Sequence, residues 1–95
     1  MVMRMAMTDL FLKIEEEHVV QSLREAAEKL DGADGEAILD FSSVHRIDPS
    51  ALRGLKEFAG RADDKRVKAT LRDVNVDIYR VLKLVKLASR FSFVN

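Results

Sequence analysis

The residues that could support chemistry in this chain lie between an apolar strand and the helix that follows it. Asp40 falls within the predicted strand, and Asp48 stands just before the helix. Because open α/β sheets often bind ligands at the carboxyl ends of their strands, two carboxylates there could perform acid–base chemistry or hold a metal ion. A small hydrolase or phosphotransferase using Asp40 and Asp48 is therefore one hypothesis. No nucleophile, base or further ligand joins them by motif, so we interpret Asp40 as a hydrogen-bonding residue that fixes the loop.

Other catalytic and cofactor chemistries have less support in the sequence. His18 and His45 lie in different predicted elements and lack the spacing of metal ligands. The absence of cysteine removes disulfides, thiolate zinc sites and thiol nucleophiles together. Gly32 and Gly35 are not followed by the lysine and the serine or threonine of a phosphate-binding loop. We therefore predict no metal and no cofactor.

The junction between the strand and the helix has clear local signals. A short apolar run over residues 38–44 predicts a buried strand, which we expect to stop at about Ser42. Asp48 can accept hydrogen bonds from the free amides of the next turn, and Pro49 suits the first helical position, where a missing N–H costs nothing. A helix is therefore predicted to begin at Pro49. Capping alone explains both residues, and a protein-docking surface over the same segment is the alternative interpretation.

Strands and helices alternate along the rest of the chain. Besides the strand that ends near Ser42, periodicity and turn residues predict strands over 1–7, 10–14, 67–73 and 91–94 and helices over about 19–30, 49–62 and 76–85. Residues 63–66 are expected to form a charged turn, and Gly54 to weaken the second helix unless a neighbour approaches it closely. Leu55 and Leu82 are expected to be fully buried, and Val85 to point inward. Strands separated by helices predict an α/β sandwich with a mixed sheet.

The composition is that of a globular protein. The 95 residues leave room for one hydrophobic core, and 47% hydrophobic with 34% charged residues lies far from the disordered range. Sixteen basic and sixteen acidic side chains cancel, so no net field attracts nucleic acid or an anionic membrane. No apolar run reaches the roughly 18 residues of a membrane span, and Thr8 and Asp9 interrupt the methionine-rich start before it could form a secretory signal. We therefore expect a cytoplasmic protein that neither binds nucleic acid nor inserts into membranes.

Several stretches of the chain match a known family pattern. They are Leu39-Asp40-Phe41-Ser42, Ile47-Asp48-Pro49-Ser50-Ala51-Leu52, the strand-like Val67-Lys68-Ala69-Thr70-Leu71 and the helical run over 76–87. Together they resemble the STAS family, named for sulfate transporters and anti-sigma factor antagonists. The resemblance covers residues 36–95 well and residues 1–35 in outline. It implies a single STAS-like domain over residues 1–95, an α/β sandwich in which three to four helices pack against a mixed sheet of four to five strands.

The resemblance also implies a non-enzymatic regulatory protein that binds other proteins. In regulatory members of the family a partner kinase phosphorylates the serine or threonine after the aspartate, and here that position is Pro49, which has no hydroxyl. Ser50 stays open as a phosphoacceptor, although a helix rotates it by about 100° from the position that the family uses. The implied partner-binding residues are Ser42, Ser43, His45, Asp48, Pro49, Ser50, Arg53 and Lys56.

Two kinds of protein partner are consistent with this resemblance. As an anti-sigma factor antagonist, the protein would bind an anti-sigma factor or a related serine-kinase-like protein in bacterial partner switching and transcription regulation. With Pro49 it would stay in the unphosphorylated, binding-competent form. As a small cytoplasmic STAS subunit of an ABC-type lipid transport complex, it would instead dock on the ATPase subunit through the same helix face.

Overall fold

Four strands and three helices alternate along the described part of the chain. The structure, a computed structural model, describes residues 9–33 and 35–95. The elements are β1 (Leu10–Lys13), α1 (Val19–Lys29), β2 (Glu36–Asp40), α2 (Pro49–Lys65), β3 (Lys68–Arg72), α3 (Val76–Leu84) and β4 (Ser92–Val94). Short 3₁₀ turns lie at Glu16–His18, Leu30–Gly32 and Ala88–Arg90. The strand predicted over residues 1–7 falls outside the described residues. None of the helices in the described part of the chain is both long and apolar enough to cross a membrane.

The sheet has the strand order β1-β2-β3-β4. The predicted α/β sandwich is confirmed, and the sheet that was expected to be mixed is parallel across its described strands. Because parallel neighbours need a crossover connection, α1, α2 and α3 each link two adjacent strands. Leu12, Leu39, Leu71 and Phe93 are partners in register and form one row across the sheet. All four strands therefore end at the same edge, from which the β2–α2 loop departs.

The core contains the buried side chains of the sheet and of all three helices. In β2, Ala37 and Leu39 are buried, while the residues that alternate with them are half-buried on the other face. Leu55 of α2 and Leu82 of α3 are both 0% exposed, which confirms their predicted burial. Burying a leucine side chain contributes about 1.5–3 kcal/mol. This packing holds α2 and α3 in fixed positions relative to the end of β2.

Gly54 lies where α2 comes close to α1. A Cβ atom at Gly54 would stand 3.2 Å from Leu23 Cδ1, so a glycine allows the two helices to approach. A glycine inside a helix costs about 1 kcal/mol relative to alanine. Gly54 was expected to weaken α2 unless a neighbour approached it closely, and Leu23 is that neighbour. The first turns of α2 therefore pack closely against α1.

Two helix ends differ from the sequence predictions. α2 continues through Lys65, although residues 63–66 were expected to form a turn, because Arg66 alone takes the left-handed conformation (φ 59°) that ends the helix. α3 ends at Leu84, so Val85 lies beyond the helix and is 46% exposed. The prediction that Val85 points inward is wrong, because the helical periodicity that would turn it toward the core stops one residue earlier.

Candidate functional site

The chain leaves β2 through a tight turn that is anchored to the sheet and the core. Phe41 N donates a hydrogen bond to Arg72 O (2.8 Å), and Asp40 Oδ1 accepts one from Ser42 N (2.9 Å). Phe41 and Val44 are buried on either side of the turn. The strand ends at Asp40, two residues before the predicted Ser42, because the side chain of Asp40 accepts a hydrogen bond from the next free amide. This bond agrees with the interpretation of Asp40 as a residue that fixes the loop.

The middle of the loop is attached to elements on both sides. His45 N donates to Glu16 Oε1 (2.5 Å), and His45 Nδ1 lies 3.1 Å from Glu16 Oε2. Asn75 Nδ2 donates to His45 O (2.9 Å), while Asn75 Oδ1 accepts from Ile78 N (2.8 Å) and so caps α3. One loop residue is therefore held from the turn before α1 and from the start of α3.

Neither Glu16 nor Asn75 was predicted from the sequence to be part of this site. An asparagine just before a helical run is a recognisable N-cap signal, and it could have indicated the bond from Asn75 to the amide of Ile78. Its second bond, to His45 O, joins residues 30 apart in the chain, and the Glu16 bond joins residues 29 apart. Contacts of that separation depend on the fold and have no local signal.

Two carboxylates of the site are held in their ionised form by backbone amides. The hydrogen bond from the His45 backbone amide, and then the one from its side chain, lowers the pKa of Glu16. The Ser42 backbone amide lowers the pKa of Asp40, an effect that burial opposes and that Arg72 on the adjacent strand assists. Hydrogen bonds to ionised acceptors are stronger than those to neutral ones. Both carboxylates therefore act as charged anchors for the main chain.

Asp40 and Asp48 do not form an acid–base pair in this arrangement. Asp48 Oδ1 accepts a hydrogen bond from Ala51 N (2.8 Å), which confirms its predicted role as the N-cap of α2. Asp40 Oδ1 is occupied by the Ser42 amide, as described above. Two carboxylates that share a proton raise the pKa of one of them, whereas the pKa of Asp40 is lowered. Each aspartate acts on its own stretch of main chain.

The two histidines lie close to the loop without building a metal site. His18 ends the 3₁₀ turn before α1, and His45 occupies the middle of the loop. Across residues 9–33 and 35–95, no three histidine, aspartate or glutamate side chains come together as metal ligands would. The side chain of His45 instead contacts Glu16, its only acidic neighbour within ion-pair distance in the described chain.

The predicted partner-binding residues all lie on the β2–α2 loop and the first two turns of α2. Seven are exposed and Ser43 is half-buried. The exposed ones are Ser42, His45, Asp48, Pro49, Ser50, Arg53 and Lys56. Residues three and four apart are neighbours on a helix surface, so Pro49, Arg53 and Lys56 share one face of α2, whereas Ser50 lies on the face of Gly54. We refer to the eight predicted residues as the junction surface.

The fold and the junction surface together define a small α/β domain that presents one anchored loop and one exposed helix start. The chain belongs to the STAS domain family, whose family model matches residues 7–95. This match confirms the resemblance seen in the sequence. It also includes residues 7–35, over which the resemblance was only one of outline.

Two of the solved structures that match this chain illustrate the shared fold. The first is an anti-sigma-factor antagonist (STAS) domain protein from Planctomyces limnophilus, with a TM-score of 0.74 and 14% identity over 95% of this chain and 88% of that chain. The second is a candidate anti-sigma factor antagonist from Thermotoga maritima, with a TM-score of 0.65 and 21% identity over 93% of this chain and 74% of that chain. Identities this low establish similarity of fold alone. No curated protein sequence matches the chain.

Proposed function

We propose that this STAS domain is a non-enzymatic regulatory module that binds a partner protein through the junction surface. The observation that carries the proposal is the contrast between an anchored loop and an exposed helix start. His45 is held on two sides, while Pro49, Arg53 and Lys56 extend into solvent on one face of α2. A surface that is already ordered loses less conformational entropy when it binds. The module would act in the bacterial cytoplasm, as one domain over residues 1–95.

In this proposal, Pro49 removes a phosphorylation switch. Pro49 follows the capping residue Asp48 and is the first residue of α2, the position at which the family resemblance implies a serine or threonine. Proline has no hydroxyl, and Ser50 lies about 100° further around the helix. The module would therefore remain in its binding-competent state, with its partner regulated by other means.

The partner that we propose is an anti-sigma factor or a related serine-kinase-like protein. A photo-crosslinking residue at Ser50 tests this in the native host, with the same residue at Glu28, exposed on α1, as the matched control. Cross-linking of a kinase-like protein at Ser50 and not at Glu28 supports the proposal. Capture of an ABC-transport ATPase subunit at Ser50 would assign the module to lipid transport instead. Equal labelling at both positions, or none at Ser50, contradicts docking at the junction surface.

The absence of a phosphorylation switch has a separate test. The unaltered protein, incubated with a captured kinase and ATP, should remain unmodified, and Pro49→Ser should gain a phosphate. Ser50→Ala serves as the control in both backgrounds. Phosphate on the unaltered protein that disappears in Ser50→Ala would show that the switch has moved by one residue and has not been lost.

A further inference from the structure

A surface groove lies beside the junction surface, between the first turns of α2 and the segment that follows α3. Its volume is about 310 Å³. Leu52, Arg53 and Lys56 form one side, and Val85, Lys86 and Arg90 form the other. Four of these side chains are cationic, and no acidic side chain lines the groove, although the chain has equal numbers of acids and bases. We refer to these six residues as the basic groove.

Three of the four cations have no ionic partner within the described chain. Arg90 Nη2 lies 2.8 Å from Asp63 Oδ2. Arg53, Lys56 and Lys86 form no ion pair with any residue of 9–33 or 35–95. Like charges that are held side by side repel one another, and an anionic group that enters between them relieves the repulsion. The basic groove therefore favours a negatively charged occupant.

The main chain fixes Lys86 at the edge of the groove. Lys86 N donates to Lys83 O (3.1 Å) and Leu87 N donates to Leu82 O (2.8 Å), the pair of bonds that closes a helix in a Schellman motif. The left-handed residue of this motif is usually glycine, but here it is Lys86, with φ 64°. The negative end of the α3 dipole accounts for a cation at this position. The α3 dipole does not account for Arg53 and Lys56, the two further cations on α2 that have no ionic partner in the described chain.

Exposed apolar side chains border the cations. Val85, which lines the groove, is 46% exposed, and Leu52 is half-buried on the α2 side of the groove. Leu84, which precedes Val85 in the chain and lies outside the groove lining, is 82% exposed. A single exposed leucine is common on protein surfaces. Val85 and Leu52 lie beside three cations that have no ionic partner in the described chain, and together they form a mixed surface, which suits a protein segment better than a small inorganic anion.

We propose that the basic groove binds an acidic segment of the partner protein, with carboxylates against Arg53, Lys56 and Lys86 and aliphatic side chains against Leu52 and Val85. The proposal rests on the proposed function, because Arg53 and Lys56 belong to both surfaces. It extends the docking area from α2 to the end of α3 and states the chemistry of the partner. Charge complementarity identifies the occupant, since the side chains that line the groove are all cationic or aliphatic.

Two synthetic peptides of equal length test this chemistry on the full chain. One repeats the triplet Glu-Glu-Leu, and the other repeats Gln-Gln-Leu. In ¹⁵N NMR titrations the Glu peptide should shift the amides of the basic groove, the Gln peptide should not, and the affinity should fall with added salt. Lys56→Glu and Lys86→Glu should each weaken binding about tenfold, whereas Lys29→Glu, the same charge change on an exposed site of α1, should stay within about twofold.

The outcomes separate this proposal from the proposed function. If the protein captured at Ser50 binds Lys56→Glu and Lys86→Glu as tightly as the unaltered chain, the groove proposal is wrong and docking at the junction surface stands. If nothing is captured at Ser50 while the Glu peptide still binds, the proposed function fails and the preference of the groove for acidic segments stands. Stronger binding of inorganic phosphate or of phosphatidylglycerol vesicles than of the Glu peptide would overturn the groove proposal. Lys86→Gly removes the cation and suits the left-handed main chain. A loss of binding in this variant therefore does not result from a loss of folding.

Discussion

Two charged regions meet the junction surface at different residues, and they differ in what their charges do. In the first region, Glu15, Glu16 and Glu17 line a shallow depression together with Lys13 and Ser43. We refer to these three glutamates as the acidic flank. The second region is the basic groove. In the acidic flank Glu16 binds the main chain of the loop, whereas in the basic groove most cations lack an ionic partner among the described residues.

The difference shows how a chain of zero net charge can divide its charges between structure and recognition. A carboxylate that accepts a backbone amide contributes to one fixed loop conformation. Exposed cations without ionic partners add little to stability. Stabilisation of the fold therefore does not explain why Arg53, Lys56 and Lys86 lie together. The equal totals of acids and bases exclude a strong overall field, and they leave room for two local regions of opposite sign at the junction surface.

The largest effect is expected from a core residue of α3. Leu82 is fully buried in this helix, which leads into the segment that forms one side of the groove. Leu82→Ala should lower the free energy of unfolding in urea by about 2–5 kcal/mol, because it removes packed methyl groups and leaves a cavity. Leu84→Ala, two residues later and 82% exposed, should change it by less than about 0.5 kcal/mol. Equal destabilisation by the two variants would contradict the orientation of α3.

Asn75→Ala is expected to have the next largest effect, because one side chain serves both α3 and the loop. It removes the cap at Ile78 N and the donor to His45 O. Losing a cap costs about 1 kcal/mol and losing a hydrogen bond costs about as much, so urea denaturation should show a loss of about 1–3 kcal/mol. Asn75→Asp keeps the acceptor and loses the donor, and so isolates the bond to the loop. If the aspartate variant matched the unaltered protein, α3 would not be holding the loop.

The same long-range contacts mark the limit of what the sequence predicts. Asp48 accepts a hydrogen bond from an amide three residues later, and Pro49 has a fixed φ that suits the first helical position, so the start of α2 follows from local chemistry and was predicted. The bonds from Asn75 and Glu16 to His45 span 30 and 29 residues, and no spacing pattern specifies them. The sequence therefore predicted which residues form the loop, but it did not predict the long-range hydrogen bonds that hold the loop in place.

The basic groove was not predicted for a related reason. Arg53 and Lys56 were assigned from the family resemblance, but their approach to Lys86 depends on how α2 and α3 pack. Sequence periodicity also placed Val85 on the inner face of α3, because it assumed that the helix continued. The left-handed conformation of Lys86 ends the helix, and a lysine in place of the usual glycine gives no sequence signal of that turn.

Lys86 provides a smaller and more specific comparison between charge and main-chain geometry. Lys86→Gly and Lys86→Ala both remove the cation, but only glycine relieves the left-handed conformation at φ 64°. The glycine variant should therefore be about 1 kcal/mol more stable than the alanine variant in urea denaturation. Both should lose the same affinity for the acidic peptide. Affinities that followed stability instead of charge would assign Lys86 a structural role and remove it from the recognition surface.

The smallest effect should come from the acidic flank, through Glu16→Gln. The His45 amide lowers the pKa of Glu16 in the folded protein, and the unfolded chain has the ordinary value of about 4.3. The folded state then binds fewer protons, so the contribution of this charge to the stability of the fold is complete above about pH 4.3 and is lost as the pH falls through the lowered pKa.

The unaltered protein should have a slightly higher thermal midpoint than the Glu16→Gln variant at neutral pH, and the difference should shrink in acid. Glu17→Gln, which changes an exposed neighbour that has no hydrogen bond to the loop in the described chain, is the matched control for the loss of one carboxylate. If Glu16→Gln weakened partner binding as strongly as Lys86→Gly without shifting the thermal midpoint, the acidic flank would recognise the partner directly, and the division between structural acids and recognising cations would be wrong.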